Sequence, residues 1–105
     1  MERVTWKARI KPGMKAEYIR RHDTIWPEMT ALLNEAGIHN YTIWCVGDEL
    51  FGYYEAQQGA AHAAQVQAQS AVVAKWNVYM DDVMEMLFDS RAGTAEQLQQ
   101  VFYHP

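Results

Sequence analysis

The chain has 105 residues, half of them hydrophobic, and a formal net charge of −4 at pH 7. This composition is that of a globular protein and excludes an intrinsically disordered chain. Nucleic-acid-binding proteins usually carry a basic patch, whereas this chain has a negative net charge and no basic cluster beyond Arg20-Arg21. We therefore expect no nucleic-acid partner. We expect residues 1–105 to form a single domain, since domains of this length are the commonest.

The residue content also bears on the cellular compartment. Cys45 is the only cysteine, so the chain cannot form an internal disulfide, as is usual in a reducing compartment. The N-terminal residues alternate between polar and apolar and lack the apolar segment of a signal peptide. No apolar run approaches the roughly 20 residues that a membrane span needs. We therefore expect a cytoplasmic protein without a membrane partner.

The N-terminal residues predict a strand followed by a helix. Apolar and polar residues alternate from Val4 to Ile10, which predicts a strand with one buried face. Pro12-Gly13 ends this strand. A helix is then predicted from about Met14 to about His22. Tyr18 lies four residues before His22 and is therefore on the same helical face.

The next residues predict a second helical segment and a hairpin. Pro27 suits the first turn of a helix but not its interior, so a new helix begins there and ends near Gly37. Residues 38–46 and 49–56 predict two strands joined by a turn at Gly47-Asp48. Strict alternation in the first of these strands places four side chains on one face: His39, Tyr41, Ile43 and Cys45.

The second half of the chain predicts two more helices and a closing strand. The segment rich in Ala and Gln, residues 59–69, favours a helix that Ser70 ends or recaps. Apolar residues at helical spacing predict a longer helix from Ala71 to Phe88. Residues 89–96 are predicted to be a loop, and residues 97–104 a short last strand.

The order strand, helix, strand, strand, helix, strand is the split βαβ pattern of the ferredoxin-like fold. It predicts an α+β protein with an antiparallel sheet and helices on one sheet face. The opposite face needs a cover, and the chain offers no element for it. We therefore expect a homodimer in which two copies pack sheet to sheet, a dimeric α+β barrel.

The aromatic and ionisable residues leave several functions open. His22 is either a surface residue near a helix C-terminus or a proton donor and acceptor, because imidazole titrates near neutral pH. Tyr18 and Tyr41 either pack in the core or turn their hydroxyl groups into a shared pocket. Trp76 lies in the apolar stripe of its helix, where core packing is the default and stacking on a sugar ring is the alternative.

Several kinds of catalytic site lack their sequence motifs. The other histidines show no metal-ligand spacing such as HxxxH, and there is no CxxC pair. Neither a glycine-rich phosphate loop nor the G-x-S-x-G motif occurs. We therefore expect no cofactor and no metal site.

The segment YIRRHDTIWPEM, residues 18–29, resembles the signature of the L-rhamnose mutarotase family. In that family Tyr, two residues, Arg-His and then Ile-Trp-Pro-Glu recur at this spacing. HNYTIW, KWNVYMDDVM and LQQVFYHP resemble three further segments of the family in the same order. The resemblance implies a ferredoxin-like homodimer that interconverts the α and β anomers of the monosaccharide L-rhamnose at C1 without a cofactor.

The resemblance also implies roles for individual residues. His22 corresponds to the family's proton donor, and Tyr18, Tyr41 and Trp76 correspond to residues that contact the sugar. We hypothesise that His22 protonates the ring oxygen, while Tyr18, a water or a carboxylate takes the C1 proton. Asn77, which we include among the substrate-binding residues, stands where the family usually has a second Trp.

A second departure is the segment FDSRAG, where the family tends to carry Pro-Asp-Asn-Ser-Pro. Both departures fall where the substrate would be contacted, so L-fucose or another deoxy sugar is the alternative substrate. A sugar-binding module without turnover and a cofactor-free oxygenase on the same dimeric fold are the alternative functions.

Overall fold

The computed structural model describes residues 1–89 and 99–105. Within those residues, most of the helices and strands lie where the sequence predicts them. The elements are β1 (Glu2–Ile10), α1 (Lys15–Asp23), α2 (Pro27–Glu35), β2 (Ile38–Val46), β3 (Glu49–Ala56), α3 (Ala60–Ala68), α4 (Ala71–Met80) and β4 (Met84–Asp89).

The four strands form one antiparallel sheet in the order β2-β3-β1-β4. β1 is central and pairs with both β3 and β4, while β2 pairs with β3. This is the strand order of the split βαβ pattern, so the predicted ferredoxin-like α+β fold is confirmed.

The core lies between the helices and one face of the sheet. Alternate residues of β1 and β3 are buried there, and directly paired positions such as Ala8 and Leu50 are almost fully enclosed. Side chains of α1, α2 and α4, including Tyr18, Met29 and Met80, complete the same core. The period of two in β1 therefore identified the buried face.

Local signals explain where several helices begin and end. Pro27 occupies the first turn of α2, and Gly37 follows this helix with a φ of 74°, which glycine adopts without steric cost. The hydroxyl of Ser70 caps α4 by accepting a hydrogen bond from the Val73 amide at 3.2 Å. The predicted break at Ser70 is therefore confirmed.

The predicted helix from Ala71 to Phe88 is wrong beyond Met80. The helix ends there, and residues 84–89 form β4 instead, paired with β1 from Trp6 to Ile10. Two aspartates follow Met80, and negative charge at a helix C-terminus opposes the helix dipole. A short apolar segment such as VMEMLF fits a helix or a strand, so periodicity could not separate the two.

The predicted closing strand is also wrong, because residues 99–105 form no strand. The last strand of the described residues is β4, which lies beside β1 in the sheet. Residues 97–98 of the predicted strand lie outside the described residues. The predicted loop began at Asp89, which is the last residue of β4, and its other residues, 90–96, also lie outside the described residues.

The predicted alternation along β2 is wrong for His39. The pairing with β3 shifts by one residue between His39 and Thr42, and Asn40 there has a φ of 49°. His39 pairs with Glu55, whereas Ile43 pairs with Gly52, and residues three apart on a strand lie on opposite faces. A bulge thus moves His39 to the sheet face away from the helices.

Candidate functional site

A cavity of about 750 Å³ lies between the helices and the sheet, a size typical of small-molecule sites. Five side chains that the sequence analysis predicted for one site line it together: Tyr18, His22, Tyr41, Trp76 and Asn77. They come from α1, β2 and α4, so the fold brings together residues that are distant in sequence.

α1 places Tyr18 and His22 side by side, with their ring centroids 4.4 Å apart. His22 Nδ1 lies 3.1 Å from the carbonyl oxygen of Tyr18. Because a carbonyl only accepts hydrogen bonds, Nδ1 carries the hydrogen in this contact. Nε2 is then the ring nitrogen left for proton exchange with a ligand.

Burial lowers the pKa of His22 below its usual value of 6.5. The hydrogen bond to the Tyr18 carbonyl and the charge of Asp23 oppose this effect but do not outweigh it. His22 is therefore a neutral imidazole at pH 7, with Nδ1 protonated and Nε2 able to accept a proton.

The phenol of Tyr18 differs from the imidazole in its proton affinity. Burial, followed by the nearby Tyr41 and Cys45, raises the pKa of Tyr18 well above its usual range. The hydroxyl therefore stays protonated at neutral pH and acts as a hydrogen-bond donor rather than as a base.

The ring of Trp76 is buried in the core, which is the default role considered for it, and it also lines the cavity. It meets His22 edge to face with centroids 5.5 Å apart, and Trp26 edge to face at 5.1 Å. Trp26 in turn packs on Tyr79 at 5.2 Å. These aromatic contacts hold Trp76 and His22 in a fixed relation.

Arg21, which the sequence analysis did not single out, ties α1 to the C-terminal end of α4. Its guanidinium donates to the Tyr79 carbonyl at 2.6 Å, to Asp82 at 2.8 Å and to Glu17 at 2.6 Å. It also lies over the Tyr79 ring, 4.4 Å from the centroid. A buried arginine next to His22 therefore fixes the helix that carries the imidazole.

The remaining predicted residues lie on two sides of the cavity. The Tyr41 hydroxyl accepts a hydrogen bond from Trp6 Nε1 at 2.8 Å. Asn77 is exposed at the cavity edge. Other polar residues also line the cavity and were not predicted: Lys15, Asp23, Gln67 and Asp81.

Nothing in the described part of the chain forms a cluster of three or more His, Cys, Asp or Glu that could hold a metal ion. None of the helices in those residues combines the length and the apolar composition of a membrane span.

The fold and the cavity together define a ferredoxin-like α+β protein with a cavity whose polar and aromatic side chains suit a small polar ligand. The site combines one neutral imidazole, hydroxyl groups and an aromatic wall.

Comparison with known proteins places the chain more narrowly. The model of the family described as L-rhamnose mutarotase matches residues 3–104. The chain is 37% identical to an L-rhamnose mutarotase of Acidiphilium cryptum over all of both chains, and 38% identical to one of Sinorhizobium fredii over 98% of each. The crystal structure of an L-rhamnose mutarotase from Formosa agariphila superimposes with a TM-score of 0.78 at 29% identity, over all of both chains.

The chain therefore belongs to the L-rhamnose mutarotase family. Mutarotases are carbohydrate isomerases, so the family and the enzyme class expected from the sequence are confirmed. Membership does not favour the alternatives of a sugar-binding module or an oxygenase.

Proposed function

We propose that this protein interconverts the α and β anomers of L-rhamnose at C1. The observation that carries the proposal is the neutral imidazole of His22, held by the Tyr18 carbonyl inside a cavity large enough for a monosaccharide. The L-rhamnose mutarotases that cover the whole chain support the choice of sugar.

Anomer exchange makes modest demands on a protein. The hemiacetal opens, the C1–C2 bond rotates and the ring closes again. Opening removes a proton from the C1 hydroxyl and delivers one to the ring oxygen. If the uncatalysed half-life is on the order of an hour and turnover on the order of a hundred per second, the barrier must fall by about 8 kcal/mol. Acid–base terms of about 10² to 10⁴ each, with positioning, supply that amount.

In this proposal His22 is the catalytic residue for both proton transfers. Neutral Nε2 accepts the proton of the C1 hydroxyl as the C1–O5 bond breaks. The imidazolium then gives this proton to the ring oxygen, which was bonded to the same carbon before the ring opened. Ring closure runs through the reverse steps. His22 thus remains the proton donor to the ring oxygen, and desolvation makes its imidazolium a stronger acid.

The other predicted residues bind and orient the sugar. The Tyr18 hydroxyl, kept neutral by burial, donates a hydrogen bond to a sugar oxygen. Trp76 offers its ring to an apolar face of the sugar. Tyr41 and Asn77 bind hydroxyl groups on two sides of the cavity. Because Asn77 has an amide where the family usually carries an indole, it is the residue most suited to separate L-rhamnose from L-fucose.

Saturation-transfer NMR of the anomeric protons tests the proposal. Wild-type protein is expected to accelerate exchange for L-rhamnose more than for L-fucose, and His22→Ala to abolish the acceleration. His62→Ala in α3 is the matched control, since His62 does not line the cavity. Full activity of His22→Ala would remove His22 from the mechanism.

We also propose the homodimer expected from the fold, with the face of the sheet opposite the helices as the interface. Two apolar side chains of β2 stand out on that face: Trp44 is 69% exposed and Val46 62% exposed. Apolar exposure of this kind is typical of an interaction surface. A second copy packing sheet to sheet would cover it.

The dimer proposal is tested by light scattering after size-exclusion chromatography. Trp44→Asp is expected to shift the protein from dimer to monomer. Val78→Asp on α4 is the matched control, because Val78 is 78% exposed and lies on a helix. An unchanged mass for Trp44→Asp would contradict this interface.

Two further expectations belong with this proposal. Residues 1–105 form a single domain, which the family match over residues 3–104 supports. The protein works in the cytoplasm, for which the single cysteine and the proposed role in carbohydrate metabolism are the support.

A further inference from the structure

Residue 52, in the middle of β3, must be a glycine because a side chain there would collide with the neighbouring Trp6, and not because of its backbone conformation. The ring of Trp6, which is directly opposite on β1, lies over this glycine. A Cβ added at residue 52 would lie 2.0 Å from Cε2 and 2.2 Å from Nε1 of the indole. These atoms belong to a rigid ring, so a side chain there would displace the whole indole.

This arrangement lets Trp6 reach across a strand. The sheet order is β2-β3-β1-β4, so β3 separates Trp6 on β1 from Tyr41 on β2. The indole nevertheless donates a hydrogen bond from Nε1 to the Tyr41 hydroxyl at 2.8 Å. It crosses β3 at Gly52, where no side chain stands in the way.

The direction of this hydrogen bond has a chemical consequence. An indole N–H is only a donor, so the Tyr41 oxygen is the acceptor and its own hydrogen points away from Trp6. The Tyr41 ring is supported on another side by Tyr54, with centroids 5.1 Å apart. Trp6 itself is 5% exposed and lines the cavity, so the bond forms at the wall of the site.

We propose that Trp6, with Gly52 providing the space, is the positioning residue that sets Tyr41 as a hydrogen-bond donor to a hydroxyl of the bound monosaccharide. This inference rests on the proposed function of the site. Trp6 acts through Tyr41 and takes no part in the proton transfers of His22. Its loss is therefore expected to weaken sugar binding and to leave the chemical step largely intact.

The test compares Trp6→Phe, Tyr41→Phe and the double variant by NMR exchange rates over a range of L-rhamnose concentrations. Trp6→Phe keeps an aromatic ring and removes the N–H. We expect KM to rise roughly 3- to 10-fold, the effect of one hydrogen bond, with kcat changed less than about 2-fold. In the Tyr41→Phe background the same substitution is expected to add nothing. Trp44→Phe, on the other sheet face, is the matched control with unchanged KM.

Gly52→Ala provides a second perturbation that leaves the indole in the chain. We expect the added methyl group to push the indole off β3, to break the bond to Tyr41 and to raise KM as Trp6→Phe does. Circular dichroism and a melting curve establish that each variant is folded at the assay temperature. If Gly52→Ala does not fold, the comparison of Trp6→Phe, Tyr41→Phe and the double variant decides by itself whether Trp6 acts through Tyr41.

The outcomes separate this inference from the proposed function. Wild-type protein that fails to exchange L-rhamnose anomers would overturn the proposed function and the inference with it. Active wild type with an unchanged KM in Trp6→Phe would overturn only the positioning role. Independent, multiplying effects of Trp6→Phe and Tyr41→Phe would also overturn it, because Trp6 would then not act through Tyr41.

Discussion

Replacing Arg21 by alanine is expected to destabilise the protein far more than replacing its neighbour Arg20. Arg21 is 9% exposed and donates to the Tyr79 carbonyl, Asp82 and Glu17. Arg20 is exposed, and its side chain forms an ion pair with Glu17 within the same helix. The two residues are adjacent in sequence, so the pair of variants compares a buried link between helices with a surface contact.

The magnitude follows from the contacts that are lost. The bond to the Tyr79 carbonyl is charge-assisted and contributes about 1.5–3 kcal/mol. The pairs with Glu17 and Asp82 are partly exposed, so each contributes only about 0–1 kcal/mol. Arg21→Ala should therefore lower the free energy of unfolding by about 1.5–5 kcal/mol. At roughly 4 °C per kcal/mol, Tm falls by about 6–20 °C. Arg20→Ala should lose less than about 1 kcal/mol.

Thermal unfolding followed by circular dichroism measures both variants, and anomer exchange measured below Tm adds a functional readout. Because Arg21 fixes the helix that carries His22, kcat/KM of folded Arg21→Ala is expected to fall, by up to about 10²-fold. Arg21→Lys should recover only part of the loss, since lysine cannot reproduce the planar set of donors. A Tm for Arg21→Ala equal to that of Arg20→Ala would refute the assigned role.

Three further measurements test the protonation states of His22 and Glu17. The exchange rate should increase as pH rises through the lowered pKa of His22 and stay constant above about pH 6.5, because the neutral Nε2 starts the reaction. An exchange rate that increases as pH falls below 6.5 would contradict the role of His22 as a base. The free energy of unfolding should have its full value above pH 6.5 and decrease as pH falls, since the buried neutral His22 must then gain a proton. In urea unfolding, His22→Asn should lack this decrease. Arg20 and Arg21 hold the pKa of Glu17 at about 2, so the contribution of Glu17 to stability should be present above pH 4.5 and disappear towards pH 2. If the free energy of unfolding of Glu17→Gln fell with pH as steeply as that of wild type, Glu17 would not make this contribution.

Sequence patterns predicted the first half of the fold because its signals are local. Alternation from Val4 to Ile10, the proline at residue 27 and the glycine at residue 37 each report on neighbouring residues. Helical spacing also placed Tyr18 and His22 on one face, and their rings are in contact. These features depend on the backbone within a few residues.

The errors arose where distant residues decide the structure. The segment after Met80 fits either a helix or a strand by itself, and its pairing with β1 selects the strand. Similarly, the bulge that turns His39 away from the cavity appears only in the register with β3. The periodicity of a single sequence reports neither the pairing of β4 with β1 nor the register between β2 and β3.

The sequence pointed to several residues that line the cavity, but not to the residues that hold them in place. The resemblance pointed to Tyr18, His22, Tyr41 and Trp76, which line one cavity. The supporting contacts of Arg21 with Tyr79 and Asp82 join residues about 60 positions apart. The Trp6–Tyr41 bond depends on a glycine in the strand between them. Such contacts follow from the folded register and leave no local pattern.

The most direct measurement of the central claim is the α-to-β exchange rate of L-rhamnose at pH 7, with and without the purified protein. We expect exchange to accelerate in proportion to the concentration of wild-type protein and to fall to the uncatalysed rate when His22→Ala replaces it. Binding of L-rhamnose without any acceleration of exchange would rule out the proposed reaction, because the neutral imidazole at the cavity wall would then have no catalytic role.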